Sequence, residues 1–145
     1  MRILGLDLGE VTLGIALSNS DETVASMIET FRFPKDDYDQ AFEKIIKTVQ
    51  DYNVKEIALG YPLNMNGTVG YKAELSEELK GALDDYYQGS VKTVLVDERL
   101  TSVMANKIMI GLDVSRNKRK QKVDSMAAME ILQSYLDSKR IKNGR

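Results

Sequence analysis

The sequence contains no cysteine and no histidine, and these two absences remove whole classes of chemistry. Disulfides and thiol nucleophiles are excluded, as are zinc sites built from Cys or His and general bases of the imidazole type. Hydrolysis by such a chain must rest on carboxylates, hydroxyls, lysines or an oxygen-bound cation, which points to Mg2+ or Mn2+. No apolar run approaches the roughly 18 residues of a membrane span, and Asp7 interrupts the first apolar segment before a signal-peptide core can form. The expectation is a soluble, cytoplasmic protein with no membrane partner.

Proline is also scarce, with 2 residues among 145, while 43% of the side chains are apolar. That balance predicts one compact domain over residues 1–145, with a short basic tail from about residue 139. The formal net charge of −2 conceals an uneven distribution. Residues 1–90 carry 8 basic and 16 acidic side chains, whereas residues 91–145 carry 12 basic and 6 acidic ones. A cationic C-terminal part in an otherwise acidic chain suggests a phosphate-facing surface, the plain alternative being a solvated charged face.

Residues 2–6 form a short apolar run that stops at Asp7, with Gly9 in the turn that follows, and read as a buried strand. Residues 13–18 and 24–33 follow at hairpin distance and predict an antiparallel meander. Pro34 and the acids Asp36, Asp37 and Asp39 mark a helix start, after which Phe42, Ile45, Ile46, Val49 and Tyr52 keep helical spacing. A fourth strand is expected at 55–60, a loop at 61–70, a helix at 71–87 and a fifth strand at 91–96. Helices near 101–110 and 123–139 complete the order βββαβαβαα. A meander followed by strand-helix alternation predicts an α/β fold, a five-stranded mixed sheet flanked by helices.

Three acids fall where buried elements end: Asp7 after the first strand, Glu98 after the fifth, and Asp124 at the start of the last helix. Asp124, Ala127, Ala128 and Ile131 share one helical face, so this carboxylate lies on the side turned to the sheet. Burying an ionised carboxylate is costly unless it is paired or bound to a cation. Each acid has a structural alternative. Asp7 can be a turn residue, Glu98 can pair with Arg99, and Asp124 can cap the helix or pair with Lys120 or Lys122. Together, in a chain without histidine or cysteine, the three favour a shared metal site. Phosphodiester cleavage by two divalent ions roughly 3.5–4 Å apart needs carboxylates of this kind and no imidazole.

The same residues carry a family resemblance. Asp7-Leu8-Gly9, Leu13-Gly14-Ile15-Ala16-Leu17-Ser18, the block from Gly60 to Thr68 (Gly60-Tyr61-Pro62-Leu63-Asn64-Met65-Asn66-Gly67-Thr68), Asp97-Glu98-Arg99-Leu100-Thr101-Ser102 and Asp124-Ser125-Met126-Ala127-Ala128 together resemble the YqgF/RuvX family. The likeness extends from residue 1 to about 138. It implies an RNase H-like fold, kinship with RuvC-type Holliday junction resolvases, and a role in maturing the 5′ end of pre-16S rRNA. It also implies metal-binding, catalytic acids at Asp7, Glu98 and Asp124. Asp97, next to Glu98, is an alternative ligand, because the residue order leaves open which way the strand end turns. The chain departs from the family in the first loop, where Glu10-Val11-Thr12 replaces a commonly basic position and leaves Thr12 as the polar contributor.

The run Arg116-Asn117-Lys118-Arg119-Lys120-Gln121-Lys122 places five cations just before Asp124. Arg116, Lys118, Arg119, Lys120 and Lys122 are therefore candidate phosphate contacts with salt-sensitive affinity. Without interleaved aromatics they offer no base stacking. Thr12, Asn66, Thr68 and Arg99 complete the predicted nucleic-acid-binding set. The expected partner is pre-rRNA, with branched DNA as the alternative substrate, and the expected assembly is a monomer or a homodimer. Two other readings compete. One is an actin-like ATPase, suggested by Asp7 to Gly14 but disfavoured by the presence of only one βββαβαβα unit. The other is a non-catalytic nucleic-acid-binding or ribosome-assembly module.

Overall fold

A computed structural model describes the chain over residues 1–100 and 116–142, with side chains over residues 1–99 and 126–141. The elements are β1 (Arg2–Leu8), β2 (Thr12–Ser18), β3 (Ala25–Arg32), α1 (Tyr38–Tyr52), β4 (Val54–Tyr61), α2 (Tyr71–Tyr87), β5 (Lys92–Asp97), a single 3-10 turn (Glu98–Leu100) and α3 (Arg116–Lys142). The helix expected near residues 101–110 lies outside the described residues.

The sheet order is β3-β2-β1-β4-β5. Pairing is antiparallel within the β1–β2–β3 meander and parallel for β1 with β4 and β4 with β5. The meander is joined by tight turns. Gly9 N–H donates to Thr12 O at 2.7 Å, and Asn19 N–H donates to Val24 O at 3.0 Å. Parallel neighbours need a crossover, and α2 supplies the one between β4 and β5. Helix α1 stops at Asn53, whose left-handed backbone (φ 53°) turns its N–H back onto Gln50 O and Val49 O.

Alternation along β1 sorts its side chains between two unlike faces. Leu4 and Leu6 join Leu13, Ile15, Leu17, Ile57 and Leu59 in the larger core, which Ile45, Val49, Leu79 and Leu83 of α1 and α2 cover. Ile3 faces the other way, with Ala16, Ala25 and Ala58, against Ala128, Leu132 and Leu136 of α3. Gly5 lies on that same face. A Cβ on Gly5 would fall 2.6 Å from Leu132 Cβ and 2.8 Å from Ala128 O, and one on Gly60 would fall 2.6 Å from Ile131 Cδ1. Glycine inside a strand here marks the close approach of a helix.

Two sequence expectations change at α3. Its first two turns are the basic run itself, so the helix begins at Arg116 rather than near residue 123. Lysine, arginine and glutamine are good helix formers, and the missing apolar periodicity hid this start. Asp124 therefore lies in the third turn and cannot cap the N-terminus. At the other end, α3 continues through Lys142, so residues 139–142, expected in a basic tail, are helical, and the rest of that tail lies outside the described residues. Lys139 is anchored there, donating to Glu56 Oε2 at 3.3 Å and to Glu22 Oε1 at 3.5 Å. The Tyr135 hydroxyl also donates to Glu56 Oε2. Among the described residues, no helix is long and apolar enough to cross a membrane.

Candidate active site

The parallel pairing of β1, β4 and β5 brings their carboxyl ends to one edge of the sheet. Ligands of open α/β sheets bind outside such ends. Asp7 stands next to last in β1, opposite Gly14 of β2. It alternates with Ile3 and Gly5, so its side chain belongs to the α3 face. Only 6% of Asp7 is exposed, and Glu98, immediately after β5, is 1% exposed.

Glycine at position 60 explains where Glu98 goes. The Glu98 Cδ lies 3.4 Å from the position a Gly60 Cβ would take, and Leu6 O lies 3.5 Å from the same point. The Glu98 carboxyl is thus folded back over the end of β4, beside the strand that carries Asp7. A larger residue at position 60 would fill the space this carboxyl and Ile131 share.

Contacts along α3 give its direction over the sheet. Tyr135 and Lys139 reach Glu56 near the start of β4, Ile131 meets Gly60 near its end, and Ala127 packs with Val96 of β5. Moving toward the N-terminus of α3 therefore moves toward the carboxyl ends of the strands. Position 124, four residues before Ala128, continues that path. The side chain of Asp124 lies outside the described residues, as do those of Arg116, Lys118, Arg119, Lys120 and Lys122.

Asp97 and Arg99 resolve an ambiguity left by the sequence. Arg99 pairs with Asp97, with Nη2 to Oδ2 at 2.8 Å and Nε 3.1 Å from both carboxylate oxygens. The Arg99 backbone N–H adds a bond to Asp97 Oδ1 at 2.9 Å. The hydrogen bonds from Arg99 hold the Asp97 carboxyl below its ordinary pKa, with partial burial working against them. Arg99 thus forms its carboxylate bridge with Asp97, where the sequence suggested Glu98, and Asp97 already has a strong partner.

The remaining predicted contacts divide. Thr12, the first residue of β2, is 3% exposed, with its Oγ1 3.0 Å from the position of a Gly9 Cβ. Its hydroxyl faces the β1–β2 turn rather than a surface. Thr68 donates to Asn66 Oδ1 at 2.6 Å and accepts from Asn64 Nδ2 at 2.9 Å, so its only hydroxyl hydrogen is spent inside the loop. Asn66 is exposed. The packing role of Gly5 and Gly60 is missing from the sequence analysis, although glycine in an apolar strand is the signal that finds it.

A family model described as "RuvX: Holliday junction resolvase" matches residues 1–138. The chain belongs to the RuvX family. A Bacillus subtilis protein described as "Putative pre-16S rRNA nuclease" is 48% identical over 138 residues, covering 95% of this chain and 99% of the relative. A Geobacillus relative with the same description is 45% identical over 139 residues, covering 96% and 99%. Among solved structures, Thermus thermophilus RuvC in complex with a Holliday junction substrate aligns with a TM-score of 0.57 at 11% identity, covering 95% of both chains. The fowlpox virus Holliday junction resolvase aligns with a TM-score of 0.55 at 17% identity, covering 95% of this chain and 99% of that one. These likenesses show the RNase H-like fold.

The donor set in this RuvX-family chain suits a hard divalent cation. Asp7 and Glu98 are buried carboxylates at the carboxyl ends of β1 and β5, and they offer oxygen only. Oxygen ligands select Mg2+ or Mn2+ over softer metals. Gly60 leaves room for the Glu98 carboxyl at that edge.

Proposed function

We propose that this protein is a metal-dependent nuclease that hydrolyses phosphodiester bonds in structured RNA, acting in the cytoplasm on the 5′ end of pre-16S rRNA. One observation carries the reading. Two carboxylates are buried on the α3 face at the carboxyl ends of the parallel strands, in a chain without histidine or cysteine. The names of relatives sharing nearly half the sequence favour ribosomal RNA as substrate.

In this reading Asp7, Glu98 and Asp124 hold Mg2+ or Mn2+. Held by these carboxylates, such a cation would supply activation of an attacking water and neutralisation of charge on the phosphate. The residues of the chain do the rest. Asp7 and Glu98 keep their carboxylates fixed, because one is on a central strand and the other is wedged over Gly60. Arg116, Lys118, Arg119, Lys120 and Lys122 draw the polyanion to the N-terminal end of α3. Asn66 offers amide N–H donors at the loop.

Hydrolysis of a four-way DNA junction is the second reading, favoured by the family description and by the likeness to RuvC over 95% of the chain. The two are separated by incubating the purified protein with a pre-16S 5′ fragment and with a junction, in Mg2+, Mn2+ and EDTA. Cleavage of the RNA, abolished by EDTA and by Asp7→Asn or Asp124→Asn, is expected. Cleavage surviving those substitutions overturns the site, and tight binding without cleavage identifies a non-catalytic module. A resolvase needs two active sites, so a strictly monomeric mass in solution counts against the junction reading.

A further inference from the structure

Among the described residues, the side chain of Arg99 ties the loop of residues 62–70 to the end of β5. Arg99 Nη1 donates to Met65 O at 3.3 Å, across 34 residues, while its remaining contacts clamp Asp97. The two clamped residues flank Glu98 in the chain. At the loop's tip Gly67 has φ 87°, and a Cβ there would fall 3.2 Å from Arg99 Nη1. Left-handed backbone and lack of space both favour glycine opposite the guanidinium.

The loop is braced internally as well. Asn64 N–H donates to Thr68 O at 3.0 Å, and Gly67 N–H donates to Asn64 O at 2.8 Å. Asn66 Oδ1 accepts from both the N–H and the hydroxyl of Thr68, at 3.0 and 2.6 Å. With its oxygen turned inward, the exposed Asn66 carboxamide presents its NH2 to solvent. The loop therefore offers a donor, which suits a phosphate oxygen, while the charge of Arg99 is spent locally on Asp97.

We propose that Arg99 is a positioning residue, a clasp that fixes the 62–70 loop and its Asn66 amide beside Glu98, and that it is not itself a phosphate ligand. What the loop touches rests on the nuclease reading, but the clasp does not. A bidentate arginine fork cannot be replaced by lysine, whereas a simple phosphate charge contact largely can.

The test compares the full chain with Arg99→Lys, Arg99→Gln and Gly67→Ala. Hydrogen exchange of residues 62–70, without nucleic acid, should speed up at least about tenfold in each variant, the scale of one lost charge-assisted bond. Exchange in β1 and β4 should stay unchanged, which separates local release from unfolding. Binding to a fluorescent structured RNA should weaken with the salt slope preserved, and Arg99→Lys should not rescue it. Rescue by lysine, together with a slope reduced by about 1 in Arg99→Gln, would instead make Arg99 a phosphate ligand. Unchanged loop exchange would equally overturn the clasp. If the unaltered protein neither binds nor cleaves nucleic acid, the nuclease reading fails and the exchange result still decides the clasp.

Discussion

The two faces of the sheet are built from different residues for different ends. Toward α1 and α2 the central strands present leucine and isoleucine at nearly every position, a bulky surface that holds the helices off by the width of full side chains. Toward α3 they present Gly5, Ala16, Ala58 and Gly60. There the helix comes close enough for Ala128 O to lie 2.8 Å from the position of a Gly5 Cβ. The first face contributes mass to the core. The second fixes a distance, and Asp7 and Glu98 sit on the second. Placement of the carboxylates is thereby separated from the bulk of the hydrophobic stabilisation.

Substitutions on each face can break that separation. The largest expected effect on stability is Leu6→Ala, a fully buried truncation that should cost about 2–5 kcal/mol in denaturant unfolding. The molecules that remain folded should still cleave, and a parallel collapse of their activity would show that the faces are not independent. Asp7→Asn is the converse. It should lower cleavage by about 10²- to 10³-fold, the scale of removing one electrostatic group from a reacting centre. It should also abolish any rise in melting temperature that Mn2+ gives the unaltered chain. Gly5→Ala lies between, at about 1–3 kcal/mol for an overpacked contact. Per unit of lost stability it should reduce cleavage more than Leu6→Ala does, because it displaces α3. The smallest effect belongs to Asp51→Ala, which removes the exposed bridge to Lys47 on α1. About 0.3–0.5 kcal/mol and unchanged cleavage are expected.

Much of this arrangement could be read from residue order. The meander, the alternation of strand and helix, and α2 over 71–87 follow from local periodicity and turn residues, which need no knowledge of distant neighbours. The start of α3 was hidden because a run of lysine and arginine has helical propensity but no apolar phase. The partner of Arg99 depended on how the chain bends after β5, and a string of residues does not specify that bend. The purpose of Gly5 and Gly60 became visible only when a helix from the far end of the sequence was laid across them. Asp7 and Glu98 were legible as acids at strand ends, but not their common face.

That long reach also sets an order of events during synthesis. The Ala25 N–H at the start of β3 donates to Gln133 Oε1, 108 residues away. Residues from the same part of α3 cover Gly5 and Ile3. At about 5–20 residues per second, roughly 5–20 s separate the emergence of the meander from that of the helix completing it. Such distant pairing folds slowly. The nascent chain thus carries Asp7 on a sheet with one uncovered side until α3 has emerged, and the packed face can form only after that.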